Sequence, residues 1–216
     1  MLRIGVLASG RGSNFQAIVD AMEEGRIPGA EAALLVTDKP GAYAIERARK
    51  HGIAHAYVNP AEFPDKDAFY ARIASLMRDA GVGLVVLAGF MRIVRKPLLD
   101  AFPHRVMNIH PALLPAFPGL HGHADALAYG VKISGCTVHF VDEGMDTGPV
   151  IIQAAVPLFH DDTEDTLAAR ILAQEHRIFP EAIRLFAEGR LTVEGRVVKI
   201  AVPRSDADAL TNPPIQ

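Results

Sequence analysis

Gly83-Leu84-Val85-Val86-Leu87-Ala88 is an unbroken apolar run, closed by Gly89. A strand apolar on both sides must be covered on both faces, so the run reads as a central strand of a parallel sheet. Working back towards the N-terminus, Leu2 to Ala8, Ala30 to Thr37 and Ala54 to Val58 read as three further strands. Helical patterns fill the intervals. Phe15, Ile18, Val19 and Met22 recur with helical spacing, Ala42 to His51 is closed by Gly52, and Phe69, Ile73, Leu76, Met77 and Ala80 form one face, with Asp65 as the expected N-cap. The alternation predicts an α/β fold: an open parallel sheet with helices on both faces. Such sheets bind ligands beyond the carboxyl ends of their strands. Candidate residues therefore lie just after each strand: Ser9 to Asn14, Gly89 to Val94 and Asn108 to His110.

Working forward, Arg105 to His110 is a strand with polar groups at its end. Asn108 and His110 are two apart and share a face. Ser134 to Val141 and Val150 to Leu158 read as a hairpin whose turn, Asp142-Glu143-Gly144-Met145-Asp146-Thr147-Gly148-Pro149, can fold Asp146 over the sheet end. An amide, an imidazole and a carboxylate at strand ends are the parts of a general acid with an oxyanion-stabilising donor. A long helix follows from Thr163 to Glu188, and a closing hairpin spans Leu191 to Val202. Glu175 lies on that helix's apolar stripe, so it needs a partner: a ligand hydroxyl or a structural Arg or His.

The 216 residues carry 22 Lys and Arg against 25 Asp and Glu, a formal net charge of −3. That balance argues against a nucleic-acid groove. One domain over residues 1–202 is expected, with a polar, poorly ordered tail over 203–216. No apolar run nears the roughly 20 residues of a membrane span, and no leader pattern opens the chain, so a cytoplasmic protein with no membrane partner is expected. Cys136, alone, forms no internal disulfide and reads as a buried small hydrophobe. His121 and His123 lack a third ligand at usable spacing, so no metal is expected.

Ser9-Gly10-Arg11-Gly12-Ser13-Asn14 joins a strand to a helix. Taken alone it reads either as an anion site at a helix N-terminus or as a tight turn before a capped helix. Phe15 breaks a dinucleotide fingerprint, and no P-loop lysine is present. Gly89-Phe90-Met91-Arg92-Ile93-Val94 reads as the wall of a flat, apolar ligand site or as a packed connection. Lys66, at a loop–helix junction, reads equally as a surface charge.

Together, the run 9–14, Ala88-Gly89-Phe90-Met91-Arg92, Asn108-Ile109-His110-Pro111 through Pro118-Gly119-Leu120-His121, and Asp146-Thr147-Gly148-Pro149 resemble the glycinamide ribonucleotide formyltransferase family, folate-dependent enzymes of purine biosynthesis. The resemblance runs from the first strand to about Arg190. It implies an open, mostly parallel seven-stranded sheet with helices on both faces and a Rossmann-like N-terminal half. It implies that Gly12, Ser13 and Asn14 hold a ribonucleotide phosphate, that Arg105 belongs to the same subsite, and that Glu175 binds the ribose. It implies 10-formyltetrahydrofolate as co-substrate, against Met91, Arg92, Ile93, Val94 and the loop Asp142, Glu143, Gly144, Met145, Asp146, with Lys66 and Arg92 near its outer part. Asn108, which also faces the folate, His110 and Asp146 match the catalytic three, with Asp146 keeping His110 protonated and no metal involved. Partners are then small molecules, for a monomer or a homodimer. Hydrolase relatives carry an N-terminal regulatory domain and methionyl-tRNA formyltransferases a C-terminal one; the length suggests neither.

Overall fold

The computed structural model describes residues 1–201; the expected tail, 203–216, lies outside the described residues. The elements run β1 (Leu2–Leu7), α1 (Ser13–Glu23), β2 (Ala30–Thr37), α2 (Ala44–Lys50), β3 (Ala54–Tyr57), α3 (Lys66–Asp79), β4 (Leu84–Leu87), α4 (Lys96–Ala101), β5 (Val106–His110), α5 (Gly122–Tyr129), β6 (Ile133–Phe140), β7 (Val150–Pro157), α6 (Glu164–Ala187), β8 (Leu191–Glu194) and β9 (Val197–Ile200). One sheet of order β3-β2-β1-β4-β5-β6-β7-β9-β8 carries them. Pairing is parallel from β3 to β5 and antiparallel from β5 to β7. The sheet has nine strands rather than the implied seven. The closing hairpin docks on the edge, where Val197 pairs with Val150, and so adds two.

Alternate residues of β1, with Ala8 just after it, feed two cores. Ile4, Val6 and Ala8 pack with Phe15, Ile18 and the α6 residues Leu167, Ile171 and Phe179 on one face. Leu7 packs with Phe69, Ile73, Met77 and Leu98 on the other. Every residue of β4 is buried, as a strand covered on both faces requires. Caps fix the helix starts. The Asp65 carboxylate accepts from Ala68 N–H, and Thr163 forms a reciprocal capping box with Thr166. α4 falls in a stretch with no expected element; Pro97 in its first turn is compatible with a helix start. None of the described helices is long and apolar enough to cross a membrane.

The strand order reverses between β1 and β4, and this switch point is where an open α/β sheet leaves a crevice. Ser9 N–H donates to Gly89 O (3.0 Å) and Met91 N–H to Ser9 Oγ (3.0 Å), tying the two post-strand segments together.

Candidate active site

Beyond the ends of β4, β5 and β6 lies a cavity of about 820 Å³. Its walls include Gly89 to Arg95, Asn108 to Pro111, His139, and the loop residues Asp142, Gly144, Met145 and Asp146. Lys66, Phe69 and Tyr70 line it from α3. Almost all the residues expected around a flat ligand therefore converge. Glu143 is the exception: it is not part of the wall and its carboxylate stands 3.8 Å from Lys96 Nζ.

β5 delivers Asn108 and His110, and the β6–β7 turn delivers Asp146. His110 is 3% exposed. Its Nε2 lies 2.8 Å from Phe117 O. A carbonyl only accepts, so Nε2 carries a hydrogen, and Nδ1 is left facing Asp146 Oδ2 at 3.4 Å. Gly119 N–H donates to the same Oδ2 (2.8 Å), which explains the turn in Pro118-Gly119-Leu120-His121. Phe117 and Asp146 both hold left-handed backbone (φ 52 and 56). Non-glycine residues adopt that region at a cost, which concentrates at functional sites.

Sequence reasoning missed His139. It is nearly fully buried and sits directly opposite Asn108 in the β5–β6 register. Its Nδ1 donates to Phe140 O (2.9 Å), so its Nε2 lone pair accepts from Asn108 Nδ2 (3.2 Å). Asp146 Oδ1 lies 3.7 Å from the same Nε2. Burial holds the His139 pKa below its ordinary value, against the raising influence of its backbone hydrogen bond and Asp146. A depressed folded value means stability that is present above the unfolded pKa, near 6.5, and lost as pH falls through the folded one. His123 and His176 are shifted the same way, also by burial. His139→Gln is expected to flatten the acid-side fall in stability relative to wild type; denaturant midpoints between pH 5 and 7.5 read it, and an unchanged slope would refute it.

The anion-loop residues form a second group. Gly12 caps α1 in left-handed conformation (φ 67) without a side-chain cap, leaving the first N–H groups of α1 open. A Cβ here would stand 2.8 Å from Ala44 Cβ, so the loop can seat against α2 only with glycine. Asn14 is 8% exposed; its Nδ2 donates to Glu175 Oε2 at 2.7 Å, while its Oδ1 is buried without a partner. Glu175 is thus paired by an amide rather than by an Arg or His. Arg105 is not brought to this group: it is exposed and precedes β5, at the end of that strand away from Asn108 and His110.

Burial raises the Glu175 pKa, and the Asn14 hydrogen bond offsets this in part. A raised folded value gives stability that is full below the unfolded pKa and lost as pH rises through the folded one. Charged Glu175 therefore weighs against folding at neutral pH. Glu175→Gln is expected to stabilise the chain at pH 7.5 by on the order of 1 kcal/mol, with the gain shrinking towards pH 4. Denaturation at both pH values tests this; an equal effect at both would contradict the charge argument.

Among the described residues no group of three or more His, Cys, Asp or Glu could hold a metal ion. Two hydrogen-bond donors converging beside a carboxylate suit an acyl-type transfer through an oxyanion.

A family model for formyl transferases matches residues 2–183, and the chain belongs to that family. Within it the chain falls with the phosphoribosylglycinamide formyltransferases. It is 44% identical to the enzyme of that name from Escherichia coli (strain K12), over 88% of this chain and 89% of that one. It is 46% identical to that from Bacillus subtilis (strain 168), over 85% and 94%. The crystal structure of glycinamide ribonucleotide transformylase 1 from Symbiobacterium toebii superposes with a TM-score of 0.91 at 57% identity, covering 93% of this chain and 94% of that one. The chain also matches trifunctional purine biosynthetic proteins adenosine-3 from Drosophila pseudoobscura pseudoobscura and Drosophila melanogaster, at 44% and 42% identity, spanning only 15% and 14% of their length.

Proposed function

We propose that this chain transfers the formyl group of 10-formyltetrahydrofolate to the glycyl amine of 5-phosphoribosylglycinamide, giving formylglycinamide ribonucleotide and tetrahydrofolate in purine synthesis. The observation that carries the reading is the convergence of Asn108, His110 and Asp146 on one wall of a folate-sized cavity. Cavities of this volume suit flat, largely apolar ligands read by a few polar groups. In the same chain, an open helix N-terminus and a buried, half-satisfied Asn14–Glu175 pair offer a phosphate and a ribose their partners. Residues 1–202 are read as one catalytic domain, since both cores are built on one sheet.

In this mechanism the glycyl nitrogen attacks the formyl carbon and negative charge develops on the formyl oxygen. His139 accepts one hydrogen of the Asn108 amide, leaving the other to donate to that oxyanion. His110, its Nε2 spent on Phe117 O, presents Nδ1–H as the second donor, with Asp146 Oδ2 3.4 Å from that nitrogen. Asp146 also stands ready to take the proton shed by the new ammonium; that proton ends on N10 as the bond from the formyl carbon to N10 breaks. Each such donor typically contributes a few kcal/mol. Glu175 and Gly12 to Asn14 bind and orient the ribonucleotide. Glu175→Ala is expected to raise the ribonucleotide KM about tenfold or more while sparing folate affinity; equal weakening of both would make Glu175 structural.

The test of the whole reading is a steady-state assay with 10-formyltetrahydrofolate, with and without 5-phosphoribosylglycinamide. Tetrahydrofolate released only with the ribonucleotide supports the transferase. Release without it would make the chain a hydrolase, and no release would leave a nucleotide-binding module.

A further inference from the structure

Below the cavity lies an ion pair with a buried carboxylate that the formyl-transfer steps do not use. Asp38 follows the last residue of β2 and is 4% exposed. Its Oδ2 accepts from Arg92 Nε at 2.6 Å, across the end of β1. Asp38 Oδ1 is buried without a hydrogen-bond partner, and so is the hydroxyl of Tyr70, which lines the cavity. Arg92 is a third exposed, also lines the cavity, and lies over the Phe69 ring at 5.8 Å. Its terminal nitrogens make no hydrogen bond among the described residues, so both remain available, with four N–H donors between them. The neighbouring cations differ: Arg95 is held by Asp67 and Lys96 by Asp100, each pair being exposed.

A carboxylate buried with one oxygen unsatisfied is costly for the fold. Gripping a guanidinium by Nε fixes the plane of the fork, and a fixed fork receives a second carboxylate in bidentate fashion. We propose that Asp38 is a positioning residue: it holds Arg92 so that the terminal nitrogens meet a carboxylate at the glutamate end of the folate co-substrate. The proposal rests on the folate reading above. Asp38 also pins the segment Gly89–Arg92 at a third point, beside the two Ser9 bonds.

Titration calorimetry with two ligands tests it: tetrahydrofolate, and the same pterin-aminobenzoyl ligand ending in a methylamide instead of glutamate. Wild type prefers the glutamate form. Asp38→Ala loses about tenfold in affinity for that form and less than about twofold for the methylamide. The isosteric Asp38→Asn, which keeps an acceptor oxygen and serves if the alanine variant does not fold, loses about threefold for the glutamate form alone. The double variant Asp38→Ala, Arg92→Ala binds no more weakly than Arg92→Ala, because Asp38 acts through Arg92. A merely structural role would weaken both ligands equally; that result, or a tighter grip on the glutamate form, overturns the proposal. Wild-type discrimination retained in both Asp38 variants overturns it while leaving the folate reading intact. Wild type binding neither ligand overturns that reading and this proposal with it.

Discussion

His110→Ala is expected to lower turnover by about a thousandfold or more, while both substrates stay bound. The Nδ1 atom, 3.4 Å from Asp146 Oδ2, is the ring nitrogen free for chemistry, because Nε2 is committed to Phe117 O. Alanine removes the donor, while Gly119 N–H still holds Asp146 at 2.8 Å. The ring is almost fully buried, so the variant also leaves a void and an unpaired Phe117 carbonyl, costing on the order of 1–3 kcal/mol of stability. Single-turnover rates at saturating ligand, with dissociation constants for each substrate, separate chemistry from binding. Activity within tenfold of wild type would remove His110 from the mechanism.

Gly148→Ala is expected to cost about 2–3 kcal/mol in stability and roughly a hundredfold in turnover, although residue 148 touches no substrate in the mechanism. A Cβ at 148 would stand 1.7 Å from Phe140 O, a backbone atom that cannot swing aside. That carbonyl also accepts from His139 Nδ1, and Phe140 N–H donates to Pro149 O, so both sides of the contact are anchored. The β6–β7 turn must lift instead, carrying Asp146 away from His110. Gly144→Ala is the control. Its Cβ would meet Thr147 Oγ1 at 2.0 Å, but that is a side chain able to change rotamer, so a milder effect is expected. Thermal denaturation and kcat for both variants decide; equal effects would mean the turn yields as a whole.

The glycine of Asp146-Thr147-Gly148-Pro149 shows where sequence reading stops. The motif marked a turn that could bring a carboxylate over the sheet, and Asp146 is there. Why position 148 admits no side chain depends on the approach of β6, which turn chemistry alone does not encode. His139 was invisible for a similar reason. It belongs to an alternating strand whose neighbours Val138 and Phe140 are plain core, and only the register that sets it opposite Asn108 makes it part of the site. Arg105 went the other way: the resemblance put it with the ribonucleotide subsite, yet it stands before β5, and a strand separates its two ends by roughly 3.3 Å per residue.

Local chemistry was legible where one segment supplies it. The doubly covered run 84–87 announced a parallel sheet, Asp65 and Thr163 announced their helices, and Asn108 and His110 had to share a face because strand side chains alternate. Pairings between distant segments were not legible. Glu175 needed a partner by the cost of burying charge, but its choice of Asn14, 161 residues away, follows from α1 packing against α6. Asp38 and Arg92 lie 54 residues apart in the chain, and the order β2-β1-β4 is what lays them side by side. Periodicity, caps and strand alternation are short-range consequences of backbone geometry, so the sequence by itself determined the elements and the faces they present. Register, crossing of segments and burial are sums over the whole chain, and only the tertiary structure decided which polar groups meet.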